Sequence, residues 1–188
     1  MHPLLRFELG KRWAEPHRAH HGMDHLIEVL RAVDVLAGDG VQFDHELVED
    51  AAWFHDAIYD VHRADSVERS ADLAQRMLDA PQGDEVARLV LATRDHLPAR
   101  LDEAVLCDAD LWVLGADHDR YDAYARDIRA ENSHLPEASY KRIRARVLTR
   151  YLTRGGIFST EPARLRWEQA ACDNLVRELS VLGVPVPV

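Results

Sequence analysis

Four side chains of the types that bind divalent cations stand in three segments that otherwise read as buried helix: His25 in HRAHHGMDHL, the adjacent His55 and Asp56 in AAWFHDAIYD, and Asp110 in VLCDADLWVLG. Imidazoles and carboxylates are costly to bury unless something pairs with them, and one cation pairs with all four at once. A metal site is therefore the first expectation. In the third segment Asp108 competes with Asp110, because both lie among Val105, Leu106, Leu111, Trp112 and Leu114. At least one of the two should meet a cation, and Asp108 could instead cap a helix.

Spacing narrows the chemistry. His21 precedes His25 by four residues, which on a helix would put both rings on one face. Residue 22 is glycine, so the glutamate base of the H-E-x-x-H metalloproteases is missing. Sequence neighbours on a helix diverge by about 100°, so His55 and Asp56 reach one ion only at a helix end or in a cleft.

The elements that must position these groups read as helices throughout. Apolar residues recur at three- and four-residue spacing, and alternation with a period of two is missing, which makes the fold class all-α. Leu26, Val29, Leu30, Val33 and Leu36 form one stripe ending at Gly38 and Gly40, and Leu47, Ala51, Phe54 and Ile58 form the next. Further helices are predicted over Ser66 to Leu78, Asp84 to His96, Glu103 to Leu114, His118 to Asn132, Glu137 to Thr153 and Pro162 to Leu182, with an irregular tail from Gly183 to Val188. The total is about eight or nine helices in one single-domain bundle over 1–188. Residues 17–115 would hold the site, and the helices of 117–183 would pack on it.

Composition removes several function classes. A chain of 188 residues with 47% hydrophobic and 30% charged residues is an ordinary globule. Its formal charge of −10 opposes binding to nucleic acid duplexes and acidic membrane surfaces. No apolar run has signal-peptide or membrane-span length, so the expected location is cytoplasmic. Cys107 and Cys172 are too few for a disulfide framework and lack metal-ligand spacing. Trp13, Trp53, Trp112 and Trp167 offer apolar area for a core or a homodimer face, and a homodimer is the expectation.

The order of the candidate ligands, an H, an HD about 30 residues on and a D some 55 later, resembles the H…HD…D signature of the HD-domain superfamily. The match is closer to its bacterial branch of metal-dependent phosphohydrolases, with the pattern R-x-Y-H-x-x-x-H, A-W-F-H-D-x-x-Y-D, N-E-x-x-S-A, T-x-x-H and D-A-D-L. These stand here at Arg18 to His25, Ala52 to Asp60, Val67 to Ala71, Thr93 to His96 and Asp108 to Leu111. Two positions depart from it: His20 replaces the tyrosine before the first histidine, and Val67 replaces the asparagine before Glu68.

The resemblance implies that His25, His55, Asp56 and Asp110 are the metal ligands and that His21 is a general acid toward the leaving oxygen. It implies that Glu68 and His96 orient ligands or face substrate, or ligate a second ion, with Glu68 counted in the catalytic set and Arg18 and His96 in the substrate-binding set. Asp60, four residues past Asp56, reads as a helix cap. Two histidines and two carboxylates leave open positions on one six-coordinate divalent ion, with Mn, Fe, Co, Mg, Ni and Zn not distinguished. Such an ion acidifies water and neutralises a phosphoryl oxygen, so hydrolysis of a small phosphate ester, a nucleotide or a relative of one, is the expected function. Asp56 would join ligand and base roles. The competing expectation is a metal-containing nucleotide-binding or sensing module without turnover, and a third is an iron oxygenase using Glu68 and His96 for a second iron.

Lys141, Arg142, Arg144, Arg146, Arg150 and Arg154 follow one another without an acid between them. Arg142 and Arg146 share a helical face and would anchor a substrate phosphate. The alternative is a solvated helix paired with the acidic stretch from Asp117 to Glu131, which contains Asp119, Asp122 and Asp127.

Overall fold

The computed structural model describes residues 1–184, and the end of the tail, 185–188, lies outside them. The first helix, α1 (Pro3–Trp13), starts with proline at its first position, where no backbone donor is lost, and His2 caps it by accepting from the Leu4 amide. A turn over residues 14–22 leads to α2 (Met23–Gly38), whose stripe of Leu26, Val29, Val33 and Leu36 is buried. Asp44 caps α3 (His45–Phe54) through the Leu47 amide, and α3 buries Val48, Ala51, Ala52 and Phe54. The following helices are α4 (Ser66–Met77), α5 (Gln82–Ala92) and α6 (Leu101–Asp110), and α6 tightens into a 3₁₀ turn at Leu111–Gly115. Then come α7 (His118–Glu131) and α8 (Glu137–Thr153). A short α9 (Glu161–Ala163) passes through a π-helical segment, Arg164–Glu168, into α10 (Gln169–Leu182). Counting 161–182 as one run, the described residues form nine helices and no strand, an all-α bundle.

Helix α2 packs on α3 and α6, α3 on α5, and α4 on α5, while α7 packs on the 3₁₀ turn and α10 on both that turn and α8. One buried apolar cluster runs from Leu9 to Leu179 and includes Trp13 and Trp167, with Trp53 and Trp112 packed against it. Gly115 is required where the π segment crosses the turn: a Cβ there would stand 2.6 Å from the Cβ of Trp167 and 2.7 Å from its carbonyl oxygen. Asn174 ties α10 to the same turn by donating to the carbonyls of Leu114 and Ala116, at 2.9 Å each. Gly183, at φ 73°, ends α10 with a left-handed cap in which the Val184 amide donates to Leu179 and the Gly183 amide to Ser180. No described helix is long and apolar enough to cross a membrane.

Several expected boundaries move. The helix predicted to include Ile58 stops at Phe54, the helix predicted to reach His96 stops at Ala92, and the one predicted to reach Leu114 leaves α-geometry after Asp110. His21 lies in the turn before α2 and shares no helix with His25. Apolar periodicity marks which face is buried but not where the backbone ladder ends, and each of these breaks falls beside a polar group of the site.

Candidate metal centre

The breaks bring the ligands together. His25 stands in the first turn of α2, His55 is the residue that caps the C-terminus of α3, Asp56 follows it in the turn, and Asp110 ends α6. The C-terminal ends of α3 and α6 carry the negative ends of their helix dipoles, which favour a cation. The Nε2 atoms of His25 and His55 face each other at 3.3 Å. Asp110 Oδ1 lies 3.1 Å from His25 Nε2 and 3.5 Å from His55 Nε2, and Asp56 Oδ2 lies 3.5 Å from His55 Nε2. One ligand atom from each of His25, His55 and Asp56 falls within 4.8 Å of the others.

This donor set fits a divalent ion. Ligands about 2.1 Å from one metal stand roughly 3.0 Å apart along an octahedral edge and roughly 3.4 Å along a tetrahedral one, close to the 3.1 to 3.5 Å that separates His25, His55 and Asp110 from one another and His55 from Asp56. His55 Nδ1 donates to the carbonyl of Ala52 at 2.7 Å, which directs its Nε2 toward the cluster, as an outer hydrogen bond does for a metal-binding imidazole. Two Nε2 atoms at 3.3 Å need a proton or a cation between them. Although burial opposes charge on His55, Asp56 and Asp110 outweigh it and hold the imidazole at about 9. Burial likewise pushes the Asp110 carboxyl up, but His55 and the hydrogen bonds from His25, His55 and His96 bring it well below the ordinary carboxylate range. The cluster is arranged for positive charge.

The surrounding residues fix this arrangement. Trp13 lies behind both histidines, with ring centroids 5.3 Å from His55 and 6.3 Å from His25. His96 Nε2 is 2.8 Å from Asp110 Oδ2, and Tyr151 OH is 3.4 Å from its Nδ1. His96 takes a left-handed backbone, φ 51°, just beyond the end of α5. Of the roles expected for it, orienting a ligand, facing substrate or holding a second ion, the contact with Asp110 matches the first.

Arg18 has a different task from the predicted one. Its guanidinium is buried and donates to the carbonyls of His21 (2.9 Å), Asp56 (2.7 Å) and Ala57 (3.4 Å), and to Glu15 (3.0 Å). It fastens the His21 turn to the Asp56 turn and leaves no donor for substrate. Asp108 is separated from Asp110 just as clearly: fully buried, it accepts the amides of Ser159 and Thr160 at 2.7 Å each, ahead of α9. Asp60 caps no helix and accepts the His62 amide at 2.9 Å. Glu68 is paired with Arg94, and its Oε2 is buried without a partner.

The basic run is not one surface. Arg144 is buried, with its guanidinium on both carboxylate oxygens of Glu178, while Lys141 pairs with Glu137, Arg150 with Asp95, and Arg154 donates to the carbonyls of His96 and Gly156. None of these partners lies in the acidic stretch proposed as the alternative, where Asp122 pairs with Arg177. Arg142 and Arg146 are exposed, without an ion pair among the described residues.

Sequence reasoning missed Glu131, the last residue of α7. Its Oε1 accepts the amides of Ala19, His20 and His21 at 2.8, 2.8 and 3.0 Å, and its Oε2 meets His21 Nδ1 at 2.7 Å and the Tyr59 hydroxyl at 2.8 Å. Tyr59 stacks on His21, centroids 4.2 Å apart. Burial opposes charge on His21, yet the hydrogen bond to Glu131 and the charges of Asp56, Glu131 and Asp110 raise its pKa. A glutamate in the last turn of a helix works against the helix dipole, and that misfit was the only local signal. His20 is buried beside His25 with centroids 4.5 Å apart, its Nδ1 unpartnered, and burial pushes it toward the neutral form.

No family model, no curated protein and no solved structure matches the chain.

Proposed function

We propose that this protein is a metal-dependent hydrolase of a small phosphate ester, with nucleotides the first class to test. The observation that carries the reading is the meeting of His25, His55, Asp56 and Asp110 beside His21, a histidine hydrogen-bonded to the carboxylate of Glu131. The order of these residues, which resembles the HD-domain signature, supports it.

His25, His55, Asp56 and Asp110 would hold one divalent ion. When bound, the ion supplies Lewis acidity, lowering the pKa of a water and neutralising charge on a phosphoryl oxygen. His55 is kept aimed by Ala52, and Asp110 by His96. Trp13 closes the back of the cluster against water, which strengthens every electrostatic contact in it. Glu131 holds Nδ1 of His21 and favours the charged imidazole, leaving Nε2 to give its proton to the departing alkoxide. Tyr59 fixes the plane of that ring, and Arg18 fixes the backbone that carries it. Asp56 lies at the mouth as the carboxylate that accepts a proton from the attacking water.

Metal analysis of the purified protein, coupled to a screen of phosphate esters with and without chelator, tests the proposal. Turnover is expected to require the metal, to vanish with Asp56→Ala and to fall about 10²- to 10⁴-fold in kcat with His21→Ala. Dependence on both residues separates hydrolysis from binding alone. An Asp56→Ala protein with full metal content and full turnover would overturn the site.

A further inference from the structure

The arginines of this acidic chain divide into engaged and unengaged ones. Most meet a carboxylate or a carbonyl. Of those with no acceptor within hydrogen-bond or ion-pair distance among the described residues, all are exposed, Arg142 and Arg146 included, except Arg12 and Arg69. These two are half-buried, and although Arg12 lies at the end of α1 and Arg69 in α4, they line the same cavity of about 410 Å³.

Two carboxylates share the remaining walls, and among the described residues neither contacts Arg12 or Arg69. Glu15 lines the cavity but is already engaged by Arg18, and Asp60 closes its own turn on the His62 amide. His17 and Tyr59 form a flat wall, their rings within 3° of parallel at 6.3 Å, with His17 Nε2 held 3.1 Å from the Tyr59 carbonyl. Partly desolvating two guanidiniums that no carboxylate contacts is unfavourable, and an anion held between them reduces that cost. Paired guanidinium forks match the oxygens of a phosphate group in both geometry and charge.

We propose that this cavity is a second ligand site, in which Arg12 and Arg69 grip a phosphate group. Tyr59, which lines the cavity, also stacks on His21 with centroids 4.2 Å apart, so one residue joins the cavity wall to the proposed proton donor. The group is either the distal phosphate of the substrate itself, which rests on the hydrolase reading, or free phosphate, which does not.

The test begins without turnover. Chelator-treated protein is titrated calorimetrically with orthophosphate and pyrophosphate. Saturable binding is expected, weakened roughly tenfold or more by Arg12→Ala and by Arg69→Ala, less by Arg12→Lys, which keeps charge but loses the fork, and not at all by Arg142→Ala. Wild-type protein without saturable binding at millimolar anion would overturn the proposal, as would Ala variants of native circular dichroism that bind as tightly as wild type. Steady-state kinetics then separate the sources. A distal substrate phosphate requires that Arg12→Ala raise KM for substrates with two or more phosphates and spare monophosphates. Free phosphate requires that added orthophosphate change monophosphate turnover in the wild type and not in Arg12→Ala. Phosphate binding without turnover of any ester would sink the hydrolase reading and leave this site standing, and turnover without binding at Arg12 and Arg69 would do the reverse.

Discussion

Replacing Glu131 by Gln is the most informative single change near the candidate metal centre. The shape is kept and one oxygen can still receive the amides of residues 19–21, but the charge is lost and an amide NH₂ turns toward His21 and Tyr59, both donors in the native contact. Burial alone would raise the Glu131 carboxyl, yet His21 first, then the backbone amides and Tyr59, hold it at about 2 against an ordinary 4.5. At about 1.4 kcal/mol per pH unit this corresponds to about 3 kcal/mol of stability. Because the folded value lies below the unfolded one, that stabilisation is complete above pH 4.5 and disappears as pH falls through about 2. His21 behaves oppositely. Its folded pKa is raised above 6.5, so its share is present below pH 6.5 and is lost as pH rises through the folded value. The two shifts describe one contact, strongest between pH 4.5 and 6.5. Urea unfolding of metal-free protein should therefore show Glu131→Gln about 3 kcal/mol less stable at pH 6, with the gap shrinking to roughly half or less at pH 3. Equal midpoints and slopes at pH 6, or a gap that stays constant down to pH 3, would refute the reasoning.

Two further substitutions separate structure from site. Asp108→Asn turns one of two buried acceptors into a donor facing a backbone amide, and should cost about 2 kcal/mol in urea unfolding while metal content, read by atomic absorption, stays at the wild-type level. A loss of metal would return Asp108 to the ligand set. Arg144→Ala strands the buried carboxylate of Glu178, with only the Tyr121 hydroxyl left on it, and should cost about 3 to 5 kcal/mol with phosphate binding unchanged. Weaker phosphate binding in a folded Arg144→Ala protein would show that the basic run takes part in anion capture after all.

The helices were legible because each buries one stripe, and a stripe such as Leu26, Val29, Val33 and Leu36 is a local pattern. The candidate ligands stood out for a related reason: His25, His55 and Asp110 each sit as a polar residue beside apolar helical neighbours. Their neighbours were not. Arg18 and Asp108 are also buried polar residues, but their partners are backbone groups in distant turns, the carbonyl of Asp56 for one and the amides of Ser159 and Thr160 for the other. Glu131 is the extreme case, joining a helix end to a turn 110 residues earlier. No spacing rule reaches that far.

The same limit explains why the basic helix misled. In α8, Arg142, Arg144 and Arg146 look alike in sequence, and four-residue spacing groups Arg142 with Arg146 as the pair that faces outward together. The grouping holds, since both are exposed while Arg144 turns inward. Exposure, however, is what weakens them as anchors, because a fully solvated guanidinium gains little from a phosphate in water of high dielectric. Arg12 and Arg69 share no spacing and belong to different helices, yet the packing of α1 and α4 around the 57–62 loop leaves them partly desolvated and without a partner on one cavity. Anion affinity follows that environment rather than the local density of arginines, and so the pair that no motif marks is the stronger candidate for holding phosphate.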